Sequence, residues 1–394
     1  MIERTLRSAL LGLAERHPVV TITGPRQSGK TTLCRAAFPD KPYVSLEDPE
    51  TRAFALNDPR GLLSQYSGGA VFDEVQRAPE LTSYLQGIVD ADPAPGRFIL
   101  TGSQHLGLHG QVSQSLAGRT ALIDLLPLSW TEVQRFPEHP DTLFEALVAG
   151  GYPAVFDRGV PPGEWIASYV RTYVERDVRQ ILNVTDLLAF QTFLGLCAGH
   201  AGNLVNLSEL GSSAGISHNT ARAWLSVLEA GFIVFRLPPF FANLNKRLVK
   251  TPKLYFHDTG LLCYLLGVRE PKELVRHPLR GAVFENWVTT EIIKAHTHRA
   301  TTPRLSFYRD RAKMEVDMVL ERVDRILAIE IKSGQTVAGD FFKSLTAFAQ
   351  LMHNVDESRP VQSYLVTGGD QYQERSTTTV LPWHAVADRD WIGA

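Results

Sequence analysis

Thr21-Ile22-Thr23-Gly24-Pro25-Arg26-Gln27-Ser28-Gly29-Lys30-Thr31-Thr32 is the stretch that decides the fold. Val19 to Thr23 is a short apolar, β-branched run, which predicts a strand, and Thr31 to Phe38 reads as a helix. Between them, Gly24 to Thr31 follows the spacing G-x-x-x-x-G-K-[ST], the P-loop, in its strand–loop–helix context. Glycines at those two places let the backbone wrap an anion and present N–H groups at a helix N-terminus. The expected ligand is therefore a nucleoside triphosphate, ATP, together with Mg2+. Gly24, Pro25, Arg26, Gln27, Ser28, Gly29, Lys30, Thr31 and Thr32 would form the cradle. Lys30 would reach the β- and γ-phosphates, and the Thr31 hydroxyl would ligate the metal.

A P-loop calls for a second strand that ends in acids. "GGAVFDEVQRAP" supplies it: Ala70 to Phe72 reads as a buried strand ending in Asp73 and Glu74. Asp73 is the expected second holder of Mg2+, and Glu74 the base that polarises the attacking water. A third strand in "RFILTGSQ" brings Ser103, and behind it Gln104, to the place where a γ-phosphate sensor would sit. Strand ends spaced in this way suit a doubly wound sheet with its ligand at the strand C-termini. The transition state needs a further cation. Arg119, just before the next apolar strand, is the first candidate, and Arg176 in "YVERDVRQI" the second. Supplied to a neighbouring subunit, Arg119 would make the active form a homo-oligomer, such as a ring. An ordinary solvated arginine is the competing reading.

The 394 residues are too many for one ordinary core, so two to four domains are expected. With 44% hydrophobic and 21% charged residues the chain has a globular composition, and a formal charge of −2 excludes a globally basic nucleic-acid binder. Any DNA contact must come from local patches. Cys34, Cys197 and Cys263 lie far apart and form no metal or redox pair, which fits a reducing compartment. Charges run through "MIERTLRSALLGLAERHP", so it does not read as a signal peptide, and no apolar run reaches the roughly 20 residues of a membrane helix. The expected location is cytoplasmic, without a membrane partner.

Further on, "NLSELGSSAGISHNTARAWLSVLEAGFIVFRLPPF" reads as a short helix, then a second helix capped by Ser217. The second helix is expected to bury Ala221, Leu225 and Leu228 and to expose His218, Asn219, Arg222 and Ser226. Two β-like runs follow, Phe232 to Phe235 and Leu254 to Phe256. Helix, turn, helix and hairpin is a winged-helix layout. The intervening "NLNKRLVKTPK" carries Lys246, Arg247, Lys250 and Lys253 with no acid, which suits DNA phosphates. Arg222, Lys246, Arg247 and Lys250 are the candidate DNA contacts, against a purely structural or oligomerising role for this module.

In the last third, "GAVFENWVTTEIIK" predicts an amphipathic helix with Glu285 near its start, and "FYRDRAKMEVDMVLERVDRILAIEIKSGQ" a β meander. Glu330 and Lys332 flank Ile331 on one strand and so share a face, with Asp317 on the strand before. This layout resembles the PD-(D/E)XK nucleases. The resemblance implies Asp317, Glu330, the Ile331 carbonyl and Glu285 around Mg2+, with Lys332 orienting or activating a water. Lys294 to Lys313 adds six Lys or Arg against one acid, Asp310, a further candidate phosphate surface.

"GPRQSGKTT", "YVSLEDPETRAFALNDP", "FDEVQRAP", "LTGSQ", "LAGR", "LLPLSWTE", "GGYPAVF", "YVERDV", "KLYFHDTGLL", "FENWVTTEI", "YRDRAKMEVDMVL" and "IEIKSG" occur in order almost end to end. In this the chain resembles a family of bacterial and archaeal AAA+ ATPases that carries a C-terminal domain of unknown function. The resemblance implies an α/β fold: a P-loop AAA+ core at 1–128, a helical lid at 129–200, a winged helix at 201–268 and a restriction-endonuclease-like domain at 269–394. Two functions compete. One is an ATPase that remodels or translocates DNA, with a C-terminal domain that binds it and is a candidate to cut it; the other is an ATP-switched regulatory protein that holds DNA or a partner without cutting.

Overall fold

The computed structural model describes residues 2–103, 115–174, 186–240 and 250–393. Four of the candidate residues, Gln104, Arg176, Lys246 and Arg247, lie outside the described residues. The chain divides into two compact units. The first is Met1–Leu128 with Ala230–Phe232 and Thr297–Thr301; the second is Ser129–Glu229, Ile233–His296 and Thr302–Ala394.

In the first unit β1 (Val19–Thr23), β2 (Tyr43–Ser45), β3 (Ala70–Asp73), β4 (Phe98–Thr101) and β5 (Thr120–Asp124) form a parallel sheet in the order β2-β3-β4-β1-β5. β1, β3 and β4 are buried from end to end, as the continuous apolar runs of a sheet covered on both faces must be. Successive residues enter opposite cores. Val19, Phe72 and Leu100 pack with Leu81 and Leu85 on one face, whereas Val20, Val71 and Ile99 pack with Leu10, Leu33 and Leu125 on the other. Because β1 lies between β4 and β5, the chain changes direction of travel at the C-terminal edge of β1. That edge is where an open parallel sheet offers a crevice.

In the second unit the helices Leu187–Gly199, Leu207–Ser213 and His218–Ala230 precede an antiparallel pair, β6 (Val234–Leu237) and β7 (Lys253–Phe256). Leu204 bridges to Lys253 and adds a short third rung. Asn206 and Ser217 cap the second and third of these helices, accepting from Glu209 N at 3.2 Å and Thr220 N at 3.1 Å. Ala221, Leu225 and Leu228 are buried, and His218, Asn219 and Arg222 are exposed, whereas Ser226, expected on the exposed face, is half-buried.

The same unit holds a six-stranded sheet. Its strands are β8 (Leu305–Arg309), β9 (Glu315–Glu321), β10 (Ile326–Lys332), β11 (Val361–Thr367), β12 (Gln373–Glu374) and β13 (Thr378–Pro382). Their order is β12-β13-β11-β10-β9-β8. β8, β9 and β10 form the expected antiparallel meander, and the helix Lys343–His353 then carries the chain across to β11, which runs parallel to β10. That helix buries Leu345, Phe348 and Met352 against Tyr308, Val316, Val319 and Ile326. Glu285 and Asn286 sit in the helix Arg280–Thr297, and the Asn286 amide pairs with both backbone groups of Phe256 at 2.7 and 2.8 Å. Among the described residues no helix is long and apolar enough to cross a membrane.

Candidate functional site

The P-loop leaves the C-terminal end of β1 and enters the helix Lys30–Ala37. Gly24 has φ +144°, and a Cβ there would meet the Leu125 carbonyl oxygen at 2.3 Å, so only glycine lets the loop pass this close to the end of β5. Gly29 caps the helix in the left-handed region at φ +94°. The buried Lys30 ammonium donates to the carbonyls of Gly24 at 3.0 Å and Pro25 at 2.8 Å. Burial pushes its pKa down to about 8, with Glu74 and Asp73 partly opposing the shift. A desolvated cation that donates its hydrogen bonds to neutral carbonyls can still take an anionic partner. The buried Ser28 hydroxyl likewise has no hydrogen-bond partner. Both features fit a phosphate in the loop.

Around the loop the two acids take different roles. Asp73 closes β3; its carboxylate accepts from the Thr31 hydroxyl at 3.0 Å and also from the hydroxyls of Tyr43 and Thr101. Thr31 and Asp73 are thus adjacent oxygen donors, the kind of set a hard cation such as Mg2+ prefers. Glu74 follows in the left-handed region at φ +57°, a conformation that costs a non-glycine residue about 1 kcal/mol. It turns the carboxylate toward Ser103, whose hydroxyl donates to Glu74 Oε2 at 3.0 Å. The Gln76 amide donates to the same oxygen and to Ser103 Oγ at 3.2 Å. Ser103, expected as a phosphate sensor, therefore contacts the candidate base.

Three contributors were not legible as site residues. Tyr43 comes from β2, a three-residue strand whose "YVS" is too short for a period to show. Gln76 lies in a one-turn helix just after the acids. Arg4, far upstream, is buried and donates to the carbonyls of Ser28 at 2.7 Å and Leu126 at 2.8 Å, tying the loop to the end of β5. Arg119 is on the surface, paired through two nitrogens with Asp90 at 2.5 and 2.9 Å. It precedes the five residues of β5, so it sits roughly 16 Å from the P-loop edge at about 3.3 Å per residue. At the wrong end of the sheet, it cannot serve the site of its own chain.

Residues 16–134 match the AAA domain family; residues 140–272 and 280–386 match two domains of unknown function, DUF8612 and DUF4143. The uncharacterized protein Rv2008c of Mycobacterium tuberculosis is 35% identical over 340 residues, covering 85% of this chain and 75% of that protein. The uncharacterized protein Mb2031c of Mycobacterium bovis matches with the same figures. The chain belongs to one family with these two mycobacterial proteins. Its AAA domain is a P-loop ATPase domain. Among solved structures, the Walker-type ATPase PABY2304 of Pyrococcus abyssi is 16% identical, with a TM-score of 0.44 over 66% of this chain and 94% of that one.

The second unit of this AAA-domain protein gathers the four residues of the nuclease-like reading. Asp317 on β9 accepts from Ile331 N at 2.8 Å, and Lys332 on β10 pairs with Glu330 at 2.5 Å and lies 3.7 Å from Asp317. Burial, and next the Asp317 carboxylate, push Glu330 up to about 8 and Glu285 up to about 7. Lys253 belongs here as well. It was expected as a basic residue of the hairpin loop, but it is buried and pairs with Glu285 at 2.9 Å and Glu315 at 2.6 Å, so it offers nothing to a DNA phosphate. Lys294, counted in the basic stretch before β9, is likewise buried and paired with Glu291 at 2.9 Å; Arg309 pairs with Glu315 at 3.3 Å. Lys250 and Arg222 are exposed. Among the described residues no three His, Cys, Asp or Glu side chains stand as a group that could hold a metal ion. As they stand, Asp317, Glu330 and Glu285 do not fit Mg2+.

Proposed function

We propose that the protein is an ATPase that acts on DNA. The ATPase half is carried by the meeting of Lys30, Thr31, Asp73 and Glu74 at one edge of the sheet. Lys30 would face the β- and γ-phosphates, and Thr31 with Asp73 would hold Mg2+, which when bound neutralises charge on the phosphate oxygens. Glu74 would take a proton from water as the water oxygen bonds to the γ-phosphorus. The bond from that phosphorus to the β,γ-bridging oxygen breaks, and its electron pair leaves on ADP.

The DNA half rests on one observation: the helix His218–Ala230 presents His218, Asn219 and Arg222 to solvent beside a two-stranded hairpin. Read as a winged helix, it would lay Arg222 against base edges and Lys250 against phosphates, joined by Lys246 and Arg247, which the sequence puts between β6 and β7. Changing Lys246, Arg247 and Lys250 together to Ala is expected to weaken binding alike on all sequences. The salt dependence of binding should flatten by roughly one slope unit per lost phosphate contact. Unchanged affinity and slope would reduce the module to a structural part.

Arg119 supports an assembly reading. Half-buried at the edge far from its own P-loop, it would enter a neighbour's site once the Asp90 pair, which is weak at a surface, opens. Glu74→Gln and Arg119→Ala proteins, each inactive alone, are then expected to recover turnover when mixed. Full activity of Arg119→Ala by itself defeats the idea. A second function, an ATP-switched holder of DNA or protein with slow turnover, draws support from the hold that Ser103 and Gln76 keep on Glu74. Turnover unaffected by DNA, with nucleotide-dependent binding, would favour it.

A further inference from the structure

The acidic centre of the second unit contains four carboxyl groups: Glu285, Glu315, Asp317 and Glu330. It also contains three cations. Lys253 spans Glu285 and Glu315, Arg309 pairs with Glu315, and Lys332 pairs with Glu330 beside Asp317. Lys253 is the innermost. Its side chain is 3% exposed, against 33% for Lys332, and its ammonium also lies 5.4 Å from the centre of the Phe307 ring.

One oxygen of each carboxylate that a metal would need is already engaged. Glu285 Oε1 accepts from both Lys253 and the buried Tyr255 hydroxyl, at 2.9 and 2.5 Å; Asp317 Oδ2 accepts from Ile331 N; and Glu330 Oε1 accepts from Lys332. Glu330 Oε2 is buried without a partner. With one oxygen of each of these carboxylates taken and an ammonium already supplying positive charge, the set falls short of the roughly six free oxygens that Mg2+ gathers. The lysine is also firmly placed. It opens β7, whose Tyr255 side chain and Phe256 backbone are fastened to Glu285 and Asn286 on the helix Arg280–Thr297. Nothing local in the sequence discloses this, because Lys253 and Glu285 stand 32 positions apart.

We infer that Lys253 is the resident cation of this centre, standing where a divalent metal would be needed, so that the fold takes no metal and cuts no DNA by a metal-dependent route. The inference is independent of whether the ATPase acts on DNA. A half-buried carboxylate pair that loses its ammonium must find another cation or destabilise the fold. Lys253→Met removes the charge and keeps most of the volume.

The test is Mn2+ binding to the full chain without nucleotide, followed by electron paramagnetic resonance and by thermal melting. The wild type is expected to show no saturable Mn2+ site that depends on Asp317. Lys253→Met is expected to melt at a lower temperature, to gain one such site per chain, and to recover part of its melting temperature when Mn2+ is added. Asp317→Asn in that background should erase the gain. Asp73→Asn serves to separate any weak binding at the P-loop. A wild-type Mn2+ site lost on Asp317→Asn overturns the inference, as does a folded Lys253→Met that gains none. Should Lys253→Met fail to fold, the wild-type measurement with its Asp317→Asn control decides alone.

Discussion

Lys30→Ala is expected to weaken ATP binding by about 3 kcal/mol or more, roughly a hundredfold in Kd, because it removes charge-assisted hydrogen bonds to two phosphates. Isothermal titration with a non-hydrolysable analogue measures it. The same lysine gives binding a pH dependence. Its ammonium titrates at about 8 in the free site, since burial disfavours the charged form. A bound phosphate favours that form and raises the value. Binding above pH 8 must therefore take up a proton, and affinity should fall as pH rises beyond 8 while staying flat below it. In Lys30→Ala the decline should be gone. An affinity level from pH 7 to 9.5 in the wild type would remove Lys30 from contact with the phosphates.

Glu74→Gln should leave ATP bound and slow hydrolysis by about 10²–10⁴-fold, the usual contribution of a positioned base. The amide keeps the shape, and Ser103 and Gln76 can still meet its oxygen, so the loop should hold its form. Binding and turnover measured on one preparation separate this from Lys30→Ala, in which binding itself is lost. Normal turnover in Glu74→Gln would transfer the role of base to another group.

What could be read from the residues followed how local the cause was. The P-loop and its acids declare themselves because strand, glycine turn and helix are contiguous, and each residue's part is set by backbone geometry. The meander around Asp317 and Glu330 was equally open to inspection through its two-residue period. Charges were another matter. Lys253 and Lys294 look like free cations until the fold buries them against Glu285, Glu315 and Glu291. Composition counts charge and says nothing of pairing. Tyr43 escaped because three residues show no period, although its hydroxyl ends on Asp73. Arg119 was rightly placed before a strand; only the parallel register of β5 against β1 shows that this end of β5 lies away from the P-loop.

Steady-state ATP hydrolysis by the full chain, with and without duplex and single-stranded DNA and with Glu74→Gln as the blank, bears most directly on the claim that this ATPase works on DNA. The expected result is turnover that Glu74→Gln abolishes, that DNA raises severalfold, and whose rise is lost when Lys246, Arg247 and Lys250 become Ala. Turnover that depends on Glu74 yet is the same with and without every form of DNA would contradict it.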